Sequence, residues 1–200
     1  MGTMIPVEDM TPDSLDRVRQ LAKAAYAEID HVYLHWTAGH YGQAYDSYHI
    51  CIDKDGEIYL MCDDFTEYKP HTWKRNSEAI GVALLGCWDA VPNNGFNCDL
   101  GSEPPTAEQI EVMAQVVAVL AKELELPLYN SNYIMTHCEA AYKDDYGPYS
   151  GDPDTRWDLW YLPDFYGDDG RLCDGGALLR GKAAFYQRKW ESDGEIYLGD

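Results

Sequence analysis

Apolar residues alternate with polar or aromatic ones over residues 31–36, and this pattern predicts a short β-strand with two different faces. Val32, Leu34 and Trp36 occupy one face, while His35 lies on the other. A turn of small residues follows directly. A histidine at the end of an apolar strand, beside such a turn, is well placed to meet other polar groups at a sheet edge. We therefore predict that His35 is the first ligand of a zinc site.

Apolar residues recur at helical spacing in three other segments. They predict amphipathic helices over residues 11–29, 106–124 and 178–190. Thr11 is expected to cap the first helix, because a proline follows it at the first helical position. A capping box at Thr106–Gln109 opens the second helix. The helices are expected to cover a sheet.

Strand patterns fill the segments between these helices. Alternation on both sides of an Asp-Gly turn predicts a β-hairpin over residues 48–62, and the nearly all-apolar run 79–86 predicts a central strand buried on both faces. A second Asp-Gly-Glu-Ile-Tyr-Leu sequence at 193–198 is interpreted as another strand signal. Strand and helix signals alternate without a strict βαβ repeat. The predicted fold class is therefore α/β (α+β), with a central mixed β-sheet flanked by helices.

Two further residues complete a candidate zinc site. His137 ends a predicted strand over residues 133–137, and Asp152 lies in a Gly-Asp-Pro segment of the loop that leaves this strand. If the two histidine-bearing strands are neighbours, both rings converge, and His35, His137 and Asp152 leave a fourth position open, as in catalytic zinc sites. Other carboxylates compete with Asp152 for the third place: Asp144, Asp145 and Asp154.

Composition narrows the class of partner. The chain has 200 residues, 46% of them hydrophobic, which is enough for a packed core. Its net charge of −20 disfavours nucleic acids and anionic membrane surfaces, and is compatible with a neutral or peptide-like polymer. No apolar run reaches the roughly eighteen residues of a membrane span, and the acidic N-terminus predicts no signal peptide in this chain. Six widely spaced cysteines are expected to be buried thiols or an occasional disulfide.

The order of several short motifs is more specific than any one of them. The motifs are His35–Gly39, Tyr48–Ile50, Asp55–Tyr59, His71–Thr72 with Asn76–Val82, Thr136–Glu139 and Asp152–Pro153. This order resembles the N-acetylmuramoyl-L-alanine amidase family of type 2, which also includes the peptidoglycan recognition proteins and T7-type lysozyme. The resemblance covers roughly residues 30–160. It implies one zinc amidase-like catalytic domain over residues 1–200, with helical extensions at both ends.

The resemblance also implies an activity and a role for each candidate residue. The activity is zinc-dependent cleavage of the amide between N-acetylmuramic acid and the L-alanine of the stem peptide. His35, His137 and Asp152 would hold Zn²⁺, and Tyr48 would orient the water or donate to the oxyanion. His71 and Trp36 would contact the substrate. Peptidoglycan or a muropeptide is the expected partner, without nucleic acid or membrane insertion, and the expected location is extracellular, at the cell wall, or in a phage-encoded lysin.

Two positions depart from the family pattern. Ala83 stands where many members carry a glutamate, and Ser150 stands where members carry a lysine two residues before the third ligand. Lys143 and Arg156 are candidates to replace the missing lysine. These departures keep two alternatives open: a recognition domain that binds muropeptides without cutting them, and a zinc amidase of another N-acylated peptide. Stem-peptide specificity, disulfide pairing and oligomeric state stay open as well.

Overall fold

A five-stranded mixed β-sheet forms the centre of the computed structural model, which describes residues 2–93, 98–167 and 170–194. The order of its strands is β5-β4-β6-β2-β7, and every neighbouring pair is parallel except β4 with β5. Two small antiparallel pairs, β1 with β3 and β8 with β9, lie outside it. The predicted mixed sheet with flanking helices is confirmed. The strands are β1 (Met4–Pro6), β2 (His31–Trp36), β3 (Gln43–Tyr45), β4 (Ile50–Ile52), β5 (Ile58–Leu60), β6 (Ala79–Leu84), β7 (Ile134–Thr136), β8 (Tyr161–Asp164) and β9 (Arg171–Asp174). The α-helices are α1 (Leu15–Ala24), α2 (Ala107–Glu123), α3 (His137–Lys143) and α4 (Gly175–Asp193).

The two faces of the sheet have different surroundings. Val32, Leu34 and Trp36 of β2 belong to the main hydrophobic core, together with buried residues of α1, α2 and α4. The alternate residues of β2 face the other way, where Tyr33 packs in a separate small cluster and His35 is fully buried. The period-2 alternation of a strand therefore separates the packing face from the face that carries polar groups.

Helix α1 begins later than the proline suggested. Its N-cap is Ser14, whose side chain accepts a hydrogen bond from the backbone N–H of Arg17, and the expected cap at Thr11 is wrong. The reason lies in Asp13, whose backbone N–H donates to Ile58 at 2.7 Å and whose carboxylate accepts from Leu60 at 3.1 Å. The chain before Ser14 thus extends along β5 and cannot start a helix.

Helix α3 occupies part of what was expected to be a long loop after His137. Thr136 caps it, and Glu139 completes a capping box with the backbone N–H of Thr136. Two hydrogen bonds of 2.7 and 2.8 Å join the guanidinium of Arg180 on α4 to the Glu139 carboxylate. His137 is consequently the first residue of a helix that is tied to the packed side of the fold.

The described ranges also bear on the chain's C-terminal part. Helix α4 runs to Asp193, followed by Gly194 in the left-handed conformation, and the strand predicted over 193–198 lies mostly outside the described residues. Over the part of the chain that the structure describes, no helix combines the length and apolar character needed to cross a membrane.

Candidate metal centre

Three side chains converge at one edge of the sheet. The Nδ1 atoms of His35 and His137 lie 3.1 Å apart, and Asp158 Oδ2 lies 3.2 Å from His137 Nδ1 and 3.4 Å from His35 Nδ1. His35 lies on β2 and His137 begins the helix that follows β7. Because β2 and β7 are parallel neighbours, their carboxyl ends meet at the same edge of the sheet. Asp158 reaches them from the segment just before β8.

The spacing of these donors fits a tetrahedral cation site. Zinc bonds of about 2.0–2.1 Å to nitrogen and oxygen require edges of about 3.3–3.4 Å between ligand atoms. The three observed distances are close to that length. The residues are also withdrawn from water, with exposures of 0% for His35, 6% for His137 and 9% for Asp158. Among the histidine, cysteine and acidic side chains in the described ranges, one group lies close enough to share a metal ion, and it consists of these three residues.

The electrostatics of the group favour the protonation states that a metal needs. Burial lowers the pKa of His35 to about 4, although the nearby Asp158 carboxylate works in the opposite direction. Burial by itself would raise the pKa of Asp158, but His137 and His35 together hold it well below its ordinary value. At neutral pH the site therefore offers a neutral imidazole on His35 and a carboxylate on Asp158, as metal coordination requires.

The third member of the group is Asp158, where the sequence indicated Asp152. Asp152 is exposed, and its carboxylate accepts a hydrogen bond of 2.8 Å from the backbone N–H of Asp154 within its own turn. It lines the neighbouring pocket without joining the two histidines. The signal that was missed is the position of Asp158 between Trp157 and Leu159. An acid in such an apolar stretch is buried, and a buried charge needs partners.

Trp36, which was expected to contact the substrate, lies in the core. It is only 3% exposed, and its ring packs edge-on against Trp157 at 4.8 Å between centroids. Because His35 and Trp36 are consecutive residues of a strand, their side chains point to opposite faces. A histidine at the candidate metal centre thus requires the tryptophan to lie in the core.

Tyr48 and His71 lie next to His35, as the family pattern suggested. Their ring centroids are 5.1 Å and 5.3 Å from that of His35. Burial raises the pKa of Tyr48 far above its ordinary value, so its phenol is neutral. Thr72 Oγ1 lies between two imidazoles, 2.9 Å from His71 Nδ1 and 3.2 Å from His35 Nε2.

A third nearby histidine, His49, has a structural role. Its Nδ1 accepts the backbone N–H of Gly81 at 3.0 Å, and its Nε2 donates to the carbonyl of Glu67 at 2.8 Å. Both ring nitrogens are therefore occupied by the backbone. His49 holds the chain after β5 against the central strand and presents no free nitrogen to the metal centre.

A pocket of about 560 Å³ opens beside the metal centre. One of its walls is formed by Trp73, which is 56% exposed and packs edge-on against Tyr146. Among the described lining residues, one has a lysine or arginine side chain, namely Arg156. Its Nη1 donates to the carbonyl oxygens of Asp154 and Thr155 at 2.7 and 3.2 Å. The lining consists of Pro70, His71, Thr72, Trp73, Asn76, His137, Tyr146, Asp152, Asp154 and Arg156.

The positions that departed from the family pattern take on a new meaning in the structure. Ala83 is buried on β6 directly opposite His35, so the site face has a methyl group there. Counted from Asp158, the residue two positions earlier is Arg156 and not Ser150. Lys143, the other candidate cation, donates to the side chain of Asn132 and does not line the pocket.

The chain is similar to one described protein family and to several solved structures. A family model described as N-acetylmuramoyl-L-alanine amidase matches residues 25–150, which include both histidines and neither candidate aspartate. The amidase LysC from Clostridium intestinale is 20% identical, over 55% of this chain and 70% of that chain, with a TM-score of 0.39. Apis mellifera PGRP-SA is 16% identical, over 56% and 72%, with a TM-score of 0.40. Drosophila PGRP-LB is 18% identical, over 56% and 71%, also with a TM-score of 0.40. No curated protein sequence matches the chain.

Proposed function

The chain belongs to the N-acetylmuramoyl-L-alanine amidase family, and we propose that it is a zinc-dependent hydrolase of peptidoglycan. The bond cleaved is the amide between N-acetylmuramic acid and the L-alanine of the stem peptide, so the enzyme acts on cell-wall material. The convergence of His35, His137 and Asp158 beside an open pocket carries this proposal. Three protein donors are the number that catalytic zinc sites use, with a fourth position left for water or substrate.

In the proposed enzyme, His35 Nδ1, His137 Nδ1 and Asp158 Oδ2 hold the ion. Bound zinc would supply a polarised scissile carbonyl and a water of lowered pKa. His137 lines the pocket and so places the metal side of the site against the substrate. The buried carboxylate of Asp158 balances part of the added positive charge, which makes a dication tolerable among buried imidazoles.

Arg156 takes the part of the family's lysine in this proposal. It lies two residues before Asp158, it is always charged, and it lines the pocket. Its two hydrogen bonds to backbone carbonyls use Nη1, and within the described residues its Nη2 and Nε make no hydrogen bond. A fixed guanidinium with free donors can stabilise the negative charge that develops on the carbonyl oxygen during attack.

Tyr48 and the pocket acids supply the remaining groups. The neutral phenol of Tyr48, packed beside His35, can donate a hydrogen bond to the substrate oxygen or orient the attacking water. Since Ala83 provides no carboxylate, proton transfer falls to other groups. Asp152 and Asp154 are the carboxylates among the described lining residues, and they are the candidates to accept the water proton and deliver it to the leaving amine.

One observation favours a second function, in which the domain binds muropeptides without cutting them. The glutamate of many family members is replaced by Ala83, while Trp73 still offers an exposed aromatic face at the pocket. Aromatic faces pack well on sugar rings and peptide side chains. The two functions differ in whether new amino termini appear.

The test is release of L-alanine amino termini from purified peptidoglycan by the zinc-loaded protein. We expect release by the wild type, and a fall in kcat of about 10²–10³-fold for Arg156→Gln, which removes a charge that stabilises the oxyanion. Lys143→Gln removes a surface cation and serves as the matched control. Both variants should bind zinc normally. Zinc and muropeptide binding without release would exclude the enzyme and leave the recognition function.

A further inference from the structure

Thr72 connects the candidate metal centre to the pocket. Its side chain is buried, at 1% exposure, and its hydroxyl lies 3.2 Å from His35 Nε2 and 2.9 Å from His71 Nδ1. A threonine hydroxyl has one hydrogen to donate and lone pairs to accept with. Between two imidazoles it must therefore accept from one ring and donate to the other. The direction of this two-bond chain depends on where His35 carries its proton.

We infer that Thr72 transmits metal occupancy to His71, so that a cation on His35 Nδ1 fixes the pocket-lining His71 in the tautomer that carries its proton on Nε2. The inference rests on the proposed metal site. When Nδ1 of His35 binds the ion, its neutral ring carries the proton on Nε2 and donates it to Thr72 Oγ1. The Thr72 hydroxyl then donates to His71 Nδ1. A neutral His71 with Nδ1 accepting carries its own proton on Nε2.

Without the cation, the opposite direction becomes available. His35 Nδ1 lies 3.4 Å from the Asp158 carboxylate and can carry a proton toward it. Its Nε2 is then an acceptor, Thr72 donates to it, and His71 donates from Nδ1 to Thr72. In that arrangement His71 Nε2 has no proton to offer. The metal thus selects one of two hydrogen-bond directions in a chain whose atoms need not move.

The hydrogen-bond chain ends at a residue that lines the pocket. His71 lines the pocket, and its buried Nε2 has no side-chain hydrogen-bond partner among the described residues, although the backbone of Ala79 lies close enough to interact with the ring. A buried donor without a partner is costly, so a proton on Nε2 makes this side of the ring depend on a carbonyl acceptor, from the Ala79 backbone or from a ligand in the pocket.

The surroundings hold His71 and Thr72 in place. Asn76 Oδ1 accepts the backbone N–H groups of both residues, at 3.0 and 2.7 Å. The His71 ring lies against the backbone of Gly81, where an added Cβ would be 2.6 Å from His71 Cγ. The ring therefore has little freedom to flip, and its tautomer decides what it presents to the pocket. His71 is a substrate-binding residue in this scheme, and Thr72 is a positioning residue.

Long-range ¹H–¹⁵N correlation spectra of the histidine side chains test the inference, because they distinguish the two neutral tautomers. Spectra are recorded without metal and with Zn²⁺ alone, and the His71 signals are assigned with His71→Gln. We expect zinc to place His71 in the Nε2–H form in the wild type and in Thr72→Ser, which keeps the hydroxyl. Thr72→Val should bind zinc about 10–100-fold more weakly, as losing a hydrogen bond to a metal ligand does, and should lose the zinc-dependent tautomer at saturating zinc.

Thr66→Val provides the matched control, since Thr66 is exposed and, within the described residues, its hydroxyl bonds to Asp64 alone. It should leave every histidine signal unchanged. An Nδ1–H tautomer for His71 in the zinc-loaded wild type overturns the inference, and so does a Thr72→Val spectrum with the wild-type response. Both results leave the zinc amidase proposal intact. Failure of the folded wild type to bind zinc overturns the inference and the proposed metal site together.

Discussion

Asparagine substitutions at Asp158 and Asp152 test which of these two carboxylates, six residues apart, binds the metal. Asp158 lies within 3.4 Å of both histidine Nδ1 atoms, whereas Asp152 is exposed and bonded within its own turn. Four-ligand zinc sites bind with about 10–16 kcal/mol, so one ligand carries about 3 kcal/mol. Asp158→Asn should therefore weaken zinc binding by about 100-fold. Asp152→Asn should change it by less than about twofold, because a substitution in an exposed turn removes no donor from the metal centre.

Stability gives an independent measure of the same loss. A zinc concentration about 1,000 times the wild-type Kd stabilises the native state by about 4.1 kcal/mol, and a 100-fold weaker site leaves about 1.4 kcal/mol at that concentration. The zinc-dependent part of Tm should then fall by about 5–10 °C for a chain of this size. Competition with a chromophoric chelator gives Kd, and thermal scans with and without zinc give the stabilisation. If Asp152→Asn loses affinity and Asp158→Asn does not, the geometric assignment of the third ligand is wrong.

Two further predictions concern glycine and histidine residues that support the site. Gly81→Ala places a Cβ 2.6 Å from His71 Cγ and should destabilise the protein by about 1–3 kcal/mol in urea titrations. The control Gly181→Ala adds a methyl group to open space on α4 and should stabilise the protein by about 0.5–1 kcal/mol. Equal effects of the two substitutions would contradict the packing argument. Burial lowers the pKa of His49 to about 4, so the unfolded chain binds more protons than the native one between about pH 4 and 6.5, and stability is lost as pH falls through that range. The slope of the unfolding free energy against pH reports how many more protons the unfolded chain binds, and His49→Gln should lower that number by up to about one in zinc-free protein. An unchanged slope would show that His49 does not cause the loss of stability at low pH.

Local sequence patterns predicted those helices and strands whose formation depends on neighbouring residues in the chain. The alternation in β2, the apolar run that became β6 and the capping box of α2 predicted their elements, and the order of short motifs predicted the family that the match over residues 25–150 confirms. The start of α1 was missed because Asp13 pairs with β5, a contact between residues about 45 positions apart. The short helix α3 was missed although Thr136 and Glu139 form a capping box that is readable in the sequence.

The difference between local patterns and long-range contacts also explains which site residues could be predicted. His35 and His137 stand at the ends of strands whose patterns are local, and parallel pairing of β2 with β7 brings them together. Tyr48 and His71 were predicted from the family pattern; both lie beside His35, and their roles stay predictions. Trp36 lies in the core instead, because adjacent residues of a strand point to opposite faces. Its burial follows from the same alternation that identified His35.

The proposed third ligand could be identified only from the tertiary structure, and the choice of this residue changes the roles proposed for its neighbours. Asp152 stands before a proline, as a rigid loop-borne ligand would, but the path of the chain after α3 brings Asp158 to the histidines. With Asp152 as ligand, the position two residues earlier is Ser150 and the family's cation is missing. With Asp158 as ligand, that position is Arg156, which lines the pocket. An apparent loss of a catalytic group is then a replacement of one cation by another. Metal binding by Asp158 therefore favours the enzyme, whereas metal binding by Asp152 would favour the recognition domain.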